Sequence, residues 1–216
     1  MKLMDRDAAL QDFLGKYVLE AWTGDIPFIE DYYQKHGEEI QEELLRAVET
    51  VCLKAASQQQ EGNKGDIRYM YISLLRTSIM AGKVQYRIDA YDQNWFLDLV
   101  ECSAMWSADF VFQPLLNRMT EWETVKGAYV RKITTMDLEQ IQQIEAVKYH
   151  VLTIAFLKSM VSTLIDSKVM QAMKKAAGFT LYAGEYRDES DPLCQWEHPG
   201  DPNSAEGAEE RWIIFS

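Results

Sequence analysis

The stretch Asp66-Ile67-Arg68-Tyr69-Met70-Tyr71-Ile72-Ser73-Leu74-Leu75-Arg76-Thr77-Ser78 decides how the chain is read. Ile67, Met70, Tyr71, Leu74, Leu75 and Ser78 recur at three and four residues, the spacing of one helix face. Asp66 can cap the start, because a short acidic side chain accepts from the free N–H groups of a first turn. Gly82 supplies a left-handed residue to end it. The spacing therefore predicts a helix here. Next comes Val84-Gln85-Tyr86-Arg87-Ile88-Asp89-Ala90-Tyr91, which alternates apolar and polar. Period two predicts one short strand, with a short helix as its competitor. Asp92 then caps another helix through Trp95, Phe96, Leu99, Ser103, Trp106 and Phe110. Pro114 interrupts that helix, Leu115, Met119 and Trp122 carry it on, and Gly127 ends it.

On the N-terminal side, Leu10, Phe13, Leu14, Tyr17, Val18, Ala21 and Trp22 form one helix face that closes at Thr23-Gly24. Asp25-Ile26-Pro27 restarts a helix, since proline suits a first turn. Ile40, Leu44, Val48, Val51 and Ala55 mark a second stripe whose opposite, glutamate-rich face belongs in water. Gln58 to Gly65 reads as a loop. On the C-terminal side, Thr134 or Thr135 caps the longest helix, 136–177. At 1.5 Å per residue it would span about 60 Å, so a break near Ser167 or a dimer-forming protrusion is expected. From Gly178 onward the composition changes: this tail holds three of the five prolines and a net charge of −7. Two short strands are expected in it, over 179–182 and 212–215. The closing Trp-Ile-Ile-Phe is too apolar to hang in solvent and should dock on the body. The resulting expectation is a mainly α fold, a bundle of five to seven helices with at most a very small sheet. It comprises a helical domain over 1–177 and an irregular acidic tail over 178–216 that packs back on it.

The chain has 216 residues, 47% hydrophobic and 26% charged, with a net charge of −12. That is ordinary for a folded domain with one sizeable core and excludes collagen-like or wholly disordered chains. The acidity sits at the two ends: residues 1–60 carry net −6, whereas 121–177 carry net +2. An excess of two is no basic patch, so nucleic acid is not expected as a partner. Neither is a membrane, because no basic amphipathic helix occurs. The most apolar long run, Val147 to Ile165, holds Lys148, His150 and Lys158 and cannot span a bilayer. Asp5, Arg6, Asp7, Gln11 and Asp12 break any secretory core at the start. Cys52, Cys102 and Cys194 are odd in number and form no Cys-x-x-Cys pair, which points to a reduced, cytoplasmic protein.

Chemistry-bearing motifs are few. His36-x-x-Glu39, with Glu42 and Glu43 beyond, reverses the order of di-iron Glu-x-x-His motifs and has no second copy, so it reads as a solvated helix. Cys194-x-x-x-His198 gives two ligands where tetrahedral zinc needs three or four. No nucleophile elbow, phosphate loop or dinucleotide fingerprint is present. No metal and no cofactor is expected. The most unusual segment is 67–112, where Tyr69, Tyr71, Tyr86, Tyr91, Trp95, Phe96, Trp106, Phe110 and Phe112 interleave with arginines and aspartates. Arg76 sits at the margin of an apolar stripe and needs an anion. That anion is either Asp89 or Asp92, or else a carboxylate or phosphate on a ligand.

Two function classes fit these features. The first is a non-enzymatic protein-interaction or self-associating domain, whose partner is another protein or a second copy. The alternative is a binder of a small anionic ligand, or an enzyme acting on one, with its pocket in 67–112. There Arg76 or Arg87 would grip the anion and Tyr71 or Tyr86 would donate a hydrogen bond. Asp89 or Asp92 would orient the arginine, with Trp95 in the wall.

Overall fold

A computed structural model describes residues 5–197 and 211–215. Two helices open the chain, α1 (Arg6–Tyr17) and α2 (Ala21–Gln60). Asp5 caps α1, its carboxylate accepting from the Ala8 N–H at 2.8 Å. Pro27 lies inside α2, which starts at Ala21, before the expected restart. The stripe Ile40, Leu44, Val48, Val51 and Ala55 is buried, as its spacing predicts.

The chain beyond α2 overturns the expectation of an all-α helical bundle. Strand β1 (Ile67–Leu74), the short helix α3 (Arg76–Met80), strand β2 (Gln85–Tyr91) and strand β3 (Ser103–Ser107) precede α4 (Asp109–Val125), α5 (Thr135–Ile165) and α6 (Lys168–Ala172). Then come β4 (Lys175–Glu185), β5 (Ser190–Glu197) and β6 (Arg211–Ile214). The six strands form one sheet in the order β3-β2-β1-β4-β5-β6. β1 and β4 run parallel and every other neighbouring pair is antiparallel. The fold is α+β.

The physical reason lies in β1. Met70, Ile72 and Leu74 enter the core, which gives the strand its period of two. The alternate positions Tyr69 and Tyr71 are also apolar in bulk, so both faces look hydrophobic and a three-and-four spacing emerges by coincidence. Aromatic and β-branched content is the strand signal that outweighs it. The helix expected over 92–110 dissolves for a similar reason: Trp95–Leu97 is one 3₁₀ turn, and Ser103–Ser107 alternates about Trp106 as β3.

Elsewhere the local signals hold. The Thr134 hydroxyl accepts from the Asp137 N–H, and Asp137 reaches back to the Thr134 N–H at 2.8 Å, a capping box at the start of α5. That helix breaks after Ile165, and Ser167 caps α6. The strands expected at 179–182 and 212–215 fall within or overlap β4 and β6. His198 lies outside the described residues.

Helices α2, α4 and α5 cover one face of the sheet. Phe13, Leu44, Val48, Ile72, Ile88, Phe112, Leu115, Leu157 and Leu181 belong to a single continuous core there. Tyr69, Tyr71, Arg87, Asp89, Tyr91 and Tyr182 alternate with these core positions and point to the other face. The β1–β4 register shifts between Ile67 and Tyr69, and within the bulge Gly178 adopts φ +73°, a conformation glycine enters freely. Gly184, beside the β4–β5 turn, is required for space. A Cβ there would collide with the Glu189 carbonyl oxygen and the Ser190 backbone. Gly184→Ala should therefore cost about 2–3 kcal/mol in urea denaturation, because backbone must move to admit the methyl group. An unchanged midpoint would contradict this packing.

Candidate functional site

The face of the sheet opposite α2 and α5 bears a cup of about 420 Å³. Its floor comes from neighbouring central strands: Tyr71 and Ser73 on β1, Asp89 and Tyr91 on β2, Tyr182 on β4. Pairing of Tyr71 with Asp89 on one side and Tyr182 on the other fixes this floor by register alone. One wall is the 3₁₀ turn with Trp95 and Phe96; the opposite wall is the β4–β5 turn with Tyr186, Arg187 and Asp188.

The rings are mutually ordered. Tyr71 stacks on Tyr182 at 4.9 Å and 12°. Trp95 stacks on Phe96 at 4.6 Å, and Phe96 meets Tyr91 edge-on at 5.3 Å. The Trp95 indole N–H donates to the Tyr71 hydroxyl at 3.0 Å, which leaves that hydroxyl's own proton free to donate into the cup. Burial raises the pKa of Tyr71 above its ordinary value, so it stays a neutral donor.

The turn carrying Trp95 is held from behind. Lys64, whose side chain is fully buried, pairs with Asp98 and donates to the Val100 carbonyl at 2.7 Å. Asp98 accepts in addition from the N–H groups of Asp92 and Val100, each at 3.0 Å. Desolvation of Asp98 is outweighed by the hydrogen bonds from Lys64 and these two N–H groups, and its carboxyl sits below the usual range.

Three of the residues expected at a site meet in the cup: Tyr71, Asp89 and Trp95. Arg87 lies at its edge, where its Nε donates to both Asp89 oxygens at 2.9 Å and its terminal nitrogen reaches Glu101 at 2.8 Å. Asp89 is 3% exposed, and desolvation raises its pKa in spite of Arg87. Arg76 stands apart, paired with Glu185 rather than with Asp89 or Asp92. Tyr86 faces the opposite way, buried against α5, with its hydroxyl 2.7 Å from His150 Nδ1. Asp92 serves the backbone, accepting from the Asn94 N–H at 2.8 Å. The tail residues Tyr182, Tyr186 and Arg187 were invisible to sequence reasoning, because only the parallel β1–β4 pairing brings them beside Tyr71.

Arg187 is the cation over the cup. Its guanidinium lies 5.7 Å from the Phe96 ring centroid and 5.4 Å from that of Tyr186. Among the described residues it makes no ion pair or hydrogen bond, whereas Arg76, Arg87 and Arg118 are each engaged by carboxylates. Arg187 and Trp95 both have left-handed backbones, at φ +58° and +55°. Such conformations cost a non-glycine residue roughly 1–2 kcal/mol and cluster at ligand clamps.

A larger cavity, about 570 Å³, opens between α2 and α4. Its floor is the buried Asp25–Arg118 pair, with both Asp25 oxygens 2.5 Å from the guanidinium and the Tyr149 hydroxyl also bonded to Asp25. That network satisfies itself and ties α2, α4 and α5 together. Among the described residues no group of three His, Cys, Asp or Glu side chains is arranged to hold a metal, and no helix is long and apolar enough to cross a membrane. His150 is bonded to Tyr86 in the core and His36 stacks on Tyr32 of α2, so neither imidazole serves the cup. Comparison with protein-family models, curated proteins and solved structures finds no match to this chain.

Lys64→Met should destabilise the protein by about 3–5 kcal/mol, since it strands a buried carboxylate without its cation. Urea denaturation at neutral pH reads this directly. A loss below 1 kcal/mol, on the order of an exposed pair, would show that Lys64 does not anchor the Trp95 turn.

Proposed function

We propose that the chain is a ligand-binding protein whose cup takes a small planar organic anion, an aromatic ring bearing a carboxylate or phosphate. The observation that carries this reading is Arg187, a guanidinium over an aromatic cup with no carboxylate partner among the described residues. Stacked arginines present their donor edge to planar anions, which a bidentate geometry suits. The rings of Tyr71, Tyr91 and Tyr182 offer a flat apolar bed for the ligand's ring, and the Tyr71 hydroxyl offers a donor. An organic cation is less well served: Arg187 itself already covers the Phe96 and Tyr186 faces that such a cation would use. Binding rather than turnover is the role assigned.

Self-association, or docking of another protein, is the second reading, favoured by the exposed apolar side of α5. A cytoplasmic location belongs to either proposal, supported by three buried free cysteines.

The test is calorimetric titration with benzoate and phenyl phosphate, against benzylamine and benzyl alcohol. The anions should bind. Arg187→Ala and Tyr182→Ala should each weaken binding at least tenfold, about 1.4 kcal/mol. Arg187→Ala should leave the melting temperature unchanged, because Arg187 is exposed. Failure of both anions to bind, stronger binding of benzylamine, or indifference to Arg187→Ala would overturn the proposal.

A further inference from the structure

Helix α5 is apolar on nearly every side, a pattern that normally means burial all round. Its inner side meets that expectation: Leu138, Tyr149, Leu157 and Val161 are in the core. Its outer side does not, for Ile144, Val147 and Val151 are 67%, 43% and 61% exposed. With the half-buried Ile154 they are spaced three, four and three residues apart, the interval of a coiled-coil seam. All four are β-branched, so their side chains are already stiff and lose little entropy when covered.

The seam has an internal symmetry. Gln140 lies four residues before Ile144, and Lys158 four residues after Ile154. From Gln140 to Lys158 the intervals are four, three, four, three and four, the same in both directions. A two-fold axis across the helix beside Tyr149 would set Val147 against Val151 of a second copy and Ile144 against Ile154. The same axis would place the Lys158 ammonium opposite the Gln140 amide oxygen, which can accept from it. Apolar meets apolar and donor meets acceptor, which is the self-complementarity that an isologous dimer demands.

Charge points to the same occupant. The chain carries 34 acidic residues and a net −12, so most faces of two copies repel each other. Gln140, Ile144, Val147, Val151, Ile154 and Lys158 include no acid; Glu185, beside Val147, is held by Arg76, and Glu139 flanks Gln140. The nearby Glu145 is neutralised by Lys148 at 2.7 Å. Exposed Met80 and Met136 extend the apolar surface at the Gln140 end. We infer that the protein is a homodimer joined by antiparallel pairing of α5 with α5 of a second copy. This stands independently of the cup, which opens on the other face of the sheet.

Sedimentation equilibrium of the full chain tests it. The expected species has twice the 25.0 kDa chain mass. Val147→Glu and Val151→Glu, both at exposed positions, should keep the circular dichroism spectrum and shift the dimer to monomer, with at least a tenfold weaker association. The register is read by a Val147→Cys, Val151→Cys double variant, whose thiols should close intermolecular disulfides under mild oxidation. Ser159→Cys, exposed off the seam, should not. A wild-type monomer throughout the micromolar range would overturn the inference. So would a dimer that survives both glutamates, or cross-linking at Ser159→Cys alone.

Discussion

The parallel ladder between β1 and β4 is the constraint on which the other features depend. Each of these strands begins its own antiparallel run, β1-β2-β3 on one side and β4-β5-β6 on the other. Only the ladder from Tyr69↔Thr180 to Leu74↔Glu185 fuses the two runs into one sheet. Parallel neighbours need a long crossover, and here it includes α4, α5 and α6, which return over one face as its cover. Central parallel strands are normally sheltered on both faces. On the second face no α-helix lies among the described residues, and the rings of Tyr71, Tyr91, Trp95, Phe96 and Tyr182 take that place. The same rings that close the sheet also line the cup.

This dependence explains what could be read from the sequence and what could not. Capping and helical periodicity are local, so the stripe of α2, the Thr134 cap and the break at Ser167 were legible. The alternation of Gln85–Tyr91 was legible too, because its outward residues include Arg87 and Asp89. In β1 the outward residues are tyrosines, and the alternation vanished under their bulk. Half of the cup shared this fate. Tyr71, Asp89 and Trp95 stand out as aromatic and charged residues in one segment, but Arg187 lies roughly a hundred residues away in a stretch whose composition suggests an irregular tail. Nothing local announces a strand pairing at that separation.

Charge is distributed along the same lines. Two cations withdrawn from water are matched by acids: Lys64 by Asp98, Arg118 by Asp25. Their removal from water is compensated only while both partners remain. At the surface, Arg76 and Arg87 are claimed by Glu185, Asp89 and Glu101. With 34 acids against 22 lysines and arginines, a guanidinium that rests on aromatic rings instead of a carboxylate runs against the balance of the chain. The neutral seam of α5 is a second departure from the acidic surface, and the two lie on different sides of the molecule.

Native-state amide hydrogen exchange, resolved by residue, tests the role of the ladder most directly. If the β1–β4 pairing holds the two halves together, the amides of Tyr71 and Ile72 and those of Leu181 to Ala183 should be among the slowest to exchange, opening only with global unfolding. Exchange of the β4 amides at rates typical of an exposed tail, while β1 and β2 stay protected, would contradict the central place of that pairing and remove the floor from the cup.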